Sequence, residues 1–213
     1  IAQSDFYDVN TIQEIRLYFS ESNWDELLDS LYIEGLNNRL TGNVMINDSM
    51  FYNVGVRYKG FSSFSTVRVK NPFNISLDYI SNNQNYNGIN KIKLSNVIQD
   101  PSFVREVLSY EVARKYMPSS EANYANVYVN DTLIGLYSNV EAVNKDFLDN
   151  HYDSRGNTFI KCNPESLDLN GENSNLSDSP GVNVTDYYSF YDLKSGNTND
   201  WYDLLEMIDT LNQ

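Results

Sequence analysis

Between Val54 and Tyr79 the chain reads VGVRYKGFSSFSTVRVKNPFNISLDY, with Lys59, Gly60, Ser62 and Ser63 close together and Arg68 and Lys70 a few residues on. A turn of Gly and Ser can aim backbone N–H groups and hydroxyls at an anion, and nearby Lys and Arg can supply the countercharge. Such residues make a phosphate cradle. They equally suit an ordinary hairpin loop, Ser-rich because loops are, whose cations only solvate its faces. Charge distribution favours the cradle. From Arg57 to Lys115 there are nine Lys or Arg and four acids, whereas the rest of this chain of net charge −14 carries six bases and twenty-five acids. One electropositive segment inside an acidic protein suits a small phosphorylated ligand. It does not suit nucleic acid, since a polyanion would meet the acidic remainder along its length.

The elements that position these residues follow from periodicity. Val54, Val56 and Tyr58 alternate with Gly55, Arg57 and Lys59, and Phe73, Ile75, Leu77 and Tyr79 alternate with Asn74, Ser76 and Asp78, which predicts strand, turn and strand. Upstream, Ile15, Leu17 and Phe19 predict a strand, Ser22 an N-cap, and Trp24, Leu27, Leu28 and Leu31 a short amphipathic helix. Val44 and Ile46 predict a strand turning at Asn47-Asp48-Ser49 into Met50–Tyr58. Lys91-Ile92-Lys93-Leu94 reads as a strand with both lysines on one face.

Asp100-Pro101 predicts the start of a helix running to about Lys115, with Pro118 beyond it. Val104, Val107, Leu108 and Val112 share its apolar stripe, Glu111 lies near the stripe's centre and Glu106 on the opposite face. A carboxylate in that place needs a cationic or hydrogen-bonding partner, unless the stripe edge reaches solvent. Tyr124–Val129 and Leu133–Val140 predict a hairpin through Asn130-Asp131-Thr132, with Gly135 as a bulge or a close backbone approach and Glu141 at its end. Val143–Tyr152 reads as a helix, Thr158–Cys162 as a strand, Asn163–Asn183 as a long polar loop, and Asp200–Leu211 as a helix with Trp201, Leu204, Leu205, Ile208 and Leu211 on one side; Tyr187–Leu193 is ambiguous.

Composition closes several routes. No run of about eighteen apolar residues occurs, so no membrane span is predicted. Ile1-Ala2-Gln3-Ser4 shows no signal-peptide pattern and suits a trimmed start. The lone Cys162 excludes an internal disulfide framework, and the lone His151 argues against a zinc site or a His-based triad.

Four segments together resemble the CotH-type spore-coat kinase family: VRYKGFSSFS, VKNPFNISLDY, KIKLSNVIQDPSFVREVLSYEVARKY and VYVNDTLIGLYSNVEAVNKDFL, with Asn130-Asp131 where the family has Asn-Gly. The resemblance implies an α+β fold, an antiparallel sheet with packed helices like the N-lobe and hinge of an atypical protein kinase. It implies a nucleotide-side lobe over residues 12–162, a polar loop region over 163–198 and a helix over 199–213 leading toward a further lobe. The implied activity is transfer of the γ-phosphoryl of ATP, with Mg or another divalent metal, to Ser of a coat or surface protein. Gly60, Ser62 and Ser63 would lie over the phosphates beside Lys59, Lys70 would hold them, Glu111 would orient Lys70 in preference to Glu106, and Glu141 would fall near the hinge. Residence on a spore surface or in the extracellular space is implied, with attachment to a larger polysaccharide-degrading assembly as a variant. Catalytic and metal-binding acids are expected beyond Gln213, since Asp168 and Asp178 lie in the polar loop; the 213 residues are therefore expected to bind nucleotide weakly without turnover. A non-catalytic structural module of a coat or extracellular assembly is the competing reading. A carbohydrate-binding module would draw on the Tyr and Trp content, but Trp24 and Trp201 both sit at helical spacing with Leu, as core residues do.

Overall fold

A computed structural model describes residues 5–164 and 174–213; Asp168 and Ile1-Ala2-Gln3-Ser4 lie outside these residues. The chain divides into two compact units, one ending at Phe147 and the other running from Leu148 to Gln213.

The first unit is a closed barrel of seven strands: β1 (Ile12–Tyr18), β2 (Leu40–Ile46), β3 (Ser49–Tyr58), β4 (Phe73–Ser76), β5 (Lys91–Ser95), β6 (Ala122–Val129) and β7 (Thr132–Val140). Their order around the barrel is β1-β2-β3-β4-β5-β7-β6. Neighbours are antiparallel except at the closure, where β1 runs parallel to β6 with Ile15 opposite Val127. This corrects the expected α+β sheet with packed helices: the architecture is mostly strand, with four short helices among the described residues, and does not resemble a kinase N-lobe. The reason is physical. Period-2 alternation reveals strands but not which edges meet, and pairing β1 with β6, more than a hundred residues away, removes the open edges that a packed sheet would present.

Alternation fills the barrel interior. Ile15, Leu17, Val44, Ile46, Val54, Val56, Phe73, Ile75, Ile92, Leu94 and Val127 are all fully buried, each worth about 1.5–3 kcal/mol by removal from water. Helix α1 (Trp24–Ile33) inserts the fully buried Leu28 into the same core and stacks Trp24 on Phe19, ring centroids 5.8 Å apart. It starts after Asn23 rather than Ser22. A 3-10 turn at Asp5–Tyr7 adds Phe6, which meets Tyr86 edge-on at 5.3 Å, while the Asn123 carboxamide donates to the Phe6, Asp8 and Thr11 carbonyls.

Helix α2 (Arg105–Ala113) is four to five residues shorter at its start than Asp100-Pro101 predicts. Asp100 does cap it, but from a distance, its Oδ2 accepting from the Arg105 N–H at 2.7 Å. Of the predicted stripe Val107 is buried with Ala122 and Val140, whereas Val104, Leu108 and Val112 remain about half exposed.

Helix α3 (Lys145–Tyr152) spans the division between units. In the second unit β8 (Phe159–Cys162) pairs antiparallel with β9 (Tyr191–Ser195), and α4 (Trp201–Asn212) buries Trp201, Leu204 and Ile208 against Tyr187 and Tyr191. The ambiguous aromatic run thus resolves into a 3-10 turn (Val184–Tyr187) followed by a strand.

Candidate functional site

The loop from Gly60 to Pro72 joins β3 to β4, and two carboxamides hold it in shape. Fully buried Asn71 accepts from the Ser65 N–H at 2.9 Å and donates to the Ser65 and Arg68 carbonyls at 2.9 and 2.7 Å. Asn96, just past β5, donates to the Ser63 and Lys70 carbonyls, both at 2.9 Å, so the two ends of the loop meet on one side chain. Gly60 turns the chain with φ +85°, and its carbonyl accepts from the Tyr32 hydroxyl. A Cβ there would stand 2.3 Å from Ser63 Oγ. Ser62 is exposed and Ser63 half-buried.

Lys70 leaves this loop and crosses β7. A Cβ on Gly135 would lie 3.3 Å from Lys70 Cε, and Gly135 has φ +145° next to a register shift between β6 and β7. Gly135 therefore serves both as bulge and as close approach, and the group that approaches is Lys70. The ammonium lies 5.0 Å from the Phe103 ring centroid and 5.3 Å from that of Tyr137, within cation–π range. Burial lowers its pKa. Tyr137 is fully buried and its hydroxyl donates to the Asn71 carbonyl at 3.1 Å, which ties the ring under Lys70 to the loop.

A groove of about 390 Å³ opens beside Lys70, lined also by Arg68 and by the segment 96–103. That segment contains two non-glycine residues in left-handed backbone, Val97 at φ +55° and Phe103 at φ +63°. For a β-branched and an aromatic residue this costs of the order of 1–3 kcal/mol each and persists only where the surroundings impose it. Here hydrogen bonds centred on Asp100 hold the segment: its N–H donates to the Val97 carbonyl at 3.2 Å, its carbonyl accepts from the Phe103 N–H at 3.1 Å, Oδ1 accepts from the Ser102 N–H at 3.1 Å and from the Ser102 hydroxyl, and Oδ2 accepts from the Arg105 N–H.

Lys59 faces elsewhere. Its Nζ donates to Ser95 Oγ at 3.2 Å, and Ser95 donates to Glu106 Oε1 at 3.1 Å, a bridge from just past the end of β3 through the end of β5 to α2. Burial, opposed by Glu106 and reinforced by Lys93 and Arg57, pushes the Lys59 pKa down to about 8. The α2 carboxylate linked to a lysine of this segment is thus Glu106, on the face the helical pattern sets aside, and the lysine is Lys59. Glu111 has a cationic partner, Arg114 one turn on, as its place in the stripe requires. Arg114 in turn donates to the Ser120 carbonyl at 2.7 Å. Glu141 sits where β6 and β7 meet, its Oε2 accepting from the Glu121 N–H at 3.1 Å.

The structure thus gathers Gly60, Ser63 and Lys70 around Asn96 and gives Lys59, Glu111 and Glu141 separate partners. Asn71, Asn96, Phe103 and Tyr137 belong to the site and are absent from the residues singled out by sequence. All four lie inside the segments that carry the family resemblance, but nothing in their local pattern sets them apart. Among the described residues no group of three or more His, Cys, Asp or Glu is placed to hold a metal ion, and no helix is long and apolar enough to cross a membrane.

Residues 56–213 match the CotH kinase protein family, and the chain belongs to that family. The matched region starts in β3 and contains the loop, the groove wall and both hairpin strands beneath Lys70. A comparison with curated proteins found no match.

Proposed function

We propose that the groove beside Lys70 receives the polyphosphate of ATP, and that the protein serves γ-phosphoryl transfer to Ser of a coat or surface protein. The supporting observation is the state of Lys70: a half-buried ammonium resting on two ring faces, with no carboxylate of the described residues within ion-pair distance, at the rim of a groove it shares with Arg68. Such a cation is pre-positioned and uncompensated, the condition under which an incoming phosphate gains most. Ser62 and Ser63 offer hydroxyls at the neighbouring turn. In the transfer the Ser oxygen bonds to the γ-phosphorus as the bond to the β,γ-bridging oxygen breaks, ADP leaves and the hydroxyl proton passes to water; the chain's own part is to orient the phosphates and offset their charge. A divalent ion such as Mg would arrive with the nucleotide and neutralise developing charge on it. We assign no catalytic acid among these residues. Action on a coat or surface protein places the protein outside the cell or on a spore surface, with a larger extracellular assembly as a further setting.

Thermal melts test this reading. ATP with Mg is expected to raise the midpoint by several degrees, and Lys70→Ala is expected to abolish the rise while leaving the unliganded midpoint nearly unchanged. No rise in the parent chain, or an equal rise in Lys70→Ala, would overturn the assignment in favour of a structural module.

A further inference from the structure

The connection from β4 to β5 contains a two-residue hairpin turn. Tyr86 and Ile89 exchange both backbone hydrogen bonds, each at 2.9 Å, and between them stand Asn87 and Gly88, both in left-handed backbone at φ +51° and +89°. Such a turn asks for Asn-Gly, since few other residues take positive φ at low cost. The same pair is chemically the least protected. An Asn carboxamide carbon lies within reach of the next residue's backbone nitrogen, and closing a five-membered ring between them is opposed mainly by the side chain on that next residue. Gly88 has none, and a Cβ built there would meet nothing within 4 Å, so no other part of the fold takes over the shielding.

The structure also separates Asn87 from its Asn-rich surroundings. Asn87 is exposed, and its carboxamide makes no hydrogen bond among the described residues. Asn85 accepts from the Gly88 N–H at 2.9 Å and donates to the Asn83 carbonyl at 3.0 Å, while Asn90 donates to Asp78 Oδ2 at 3.1 Å. Tyr86 and Lys91, which follow these two, carry bulky side chains. An exposed two-residue turn opens locally at little cost, which frees the Gly88 nitrogen to approach Asn87 Cγ.

We propose that Asn87 is a site of spontaneous modification, converted to aspartate and isoaspartate by attack of the Gly88 nitrogen. The nitrogen loses its proton, bonds to Asn87 Cγ and expels the side-chain NH2 as ammonia, leaving a cyclic imide. Water then adds to one imide carbonyl. Opening at the side-chain carbonyl gives aspartate; opening at the backbone carbonyl gives isoaspartate, with the main chain now running through Cγ. Isoaspartate puts one more atom into a turn closed on both sides by Tyr86 and Ile89. The Tyr86 ring meets Phe6 at 5.3 Å and Phe51 at 6.1 Å, and its hydroxyl accepts from the Asn47 carboxamide at 3.2 Å. The modification thus loosens a ring packed against the barrel core. It does not depend on the nucleotide reading, because no residue of the groove takes part.

The test incubates the folded 213-residue chain at pH 8.5 and at pH 5 and maps it by proteolysis and fragment mass spectrometry. Conversion at Asn87 is expected to run ahead of Asn85 and Asn90, several-fold faster at pH 8.5, with isoaspartate detected by enzymatic methylation. Gly88→Ala should slow it several-fold. Because Ala is strained at that φ, Asn87→Gln gives a second comparison: its amide carbon lies one methylene further on, and the position should stay unconverted. Aged parent should melt lower than fresh parent, whereas Asn87→Asp, which lacks the extra main-chain atom, should melt close to fresh parent. The proposal fails if Asn87 stays intact while Asn85 or Asn90 converts, if Gly88→Ala or Asn87→Gln converts at the parent's rate, if aspartate forms without isoaspartate, or if ageing leaves the midpoint unchanged.

Discussion

Lys59 and Lys70 flank one loop and end in unlike surroundings. Lys70 is set by the backbone: its carbonyl is tied to Asn96, its stem needs the missing side chain of Gly135, and its ammonium rests on Phe103 and Tyr137. Lys59 is set by charge, drawn through Ser95 toward Glu106 and pushed by Lys93 and Arg57. Two residues of one type thus obtain different chemistry from their neighbours. The groove offers a rigidly placed cation with little compensation, while the surroundings of Lys59 make its protonation itself negotiable.

If backbone restraint sets Lys70, the largest effect should come from Asn96→Ala. It leaves two part-buried loop carbonyls, those of Ser63 and Lys70, without this donor and is expected to cost about 2–4 kcal/mol in chemical denaturation. It should also remove any ATP response although Lys70 is retained. An Asn96→Ala chain as stable as the parent would show that the loop holds its shape by other means.

Gly135→Ala probes the same restraint more gently. The new methyl meets Lys70 and the backbone is left in a conformation that suits glycine, for an expected loss of about 1–3 kcal/mol. The discriminating result is in the double variant: with Lys70→Ala present, the part of the cost due to the clash should vanish, so the two changes should be non-additive.

The smallest effect concerns Lys59 and pH. Its pKa is lower in the folded chain, about 8, than the ordinary lysine value of 10.5, so between these values the unfolded state binds more protons and stability rises with pH. Above about 10 the sign reverses, because Tyr58 and Tyr137, whose pKa values burial raises, keep protons that the unfolded chain releases. Equilibrium denaturation from pH 7 to 10 should show the rise in the parent and a flatter profile in Lys59→Met. A parent profile that falls from pH 8 onward would refute the electrostatic account of this region.

What could be read in advance follows the range of each interaction. The strand at Lys91–Leu94 was legible because its two lysines and two apolar residues alternate, and the need of Glu111 for a partner was legible because Arg114 is only three residues away. Asn96 was not, since its value lies in reaching Ser63 and Lys70 more than twenty residues earlier. The helix at Asp100 was misjudged at its start because a carboxylate five residues before Arg105 can cap it across a strained turn, which no local propensity encodes.

By itself the amino-acid order determined the strands of the barrel, the electropositive segment and the family likeness, all properties of neighbours in the chain or of summed charge. Tertiary structure alone decided that β1 meets β6, that Gly135 makes room for Lys70, and that Lys59 answers to Glu106. These are contacts between distant residues, and many foldings of one alternating pattern satisfy local preference equally well; the choice among them is made by which faces can be buried together and which charges can be met.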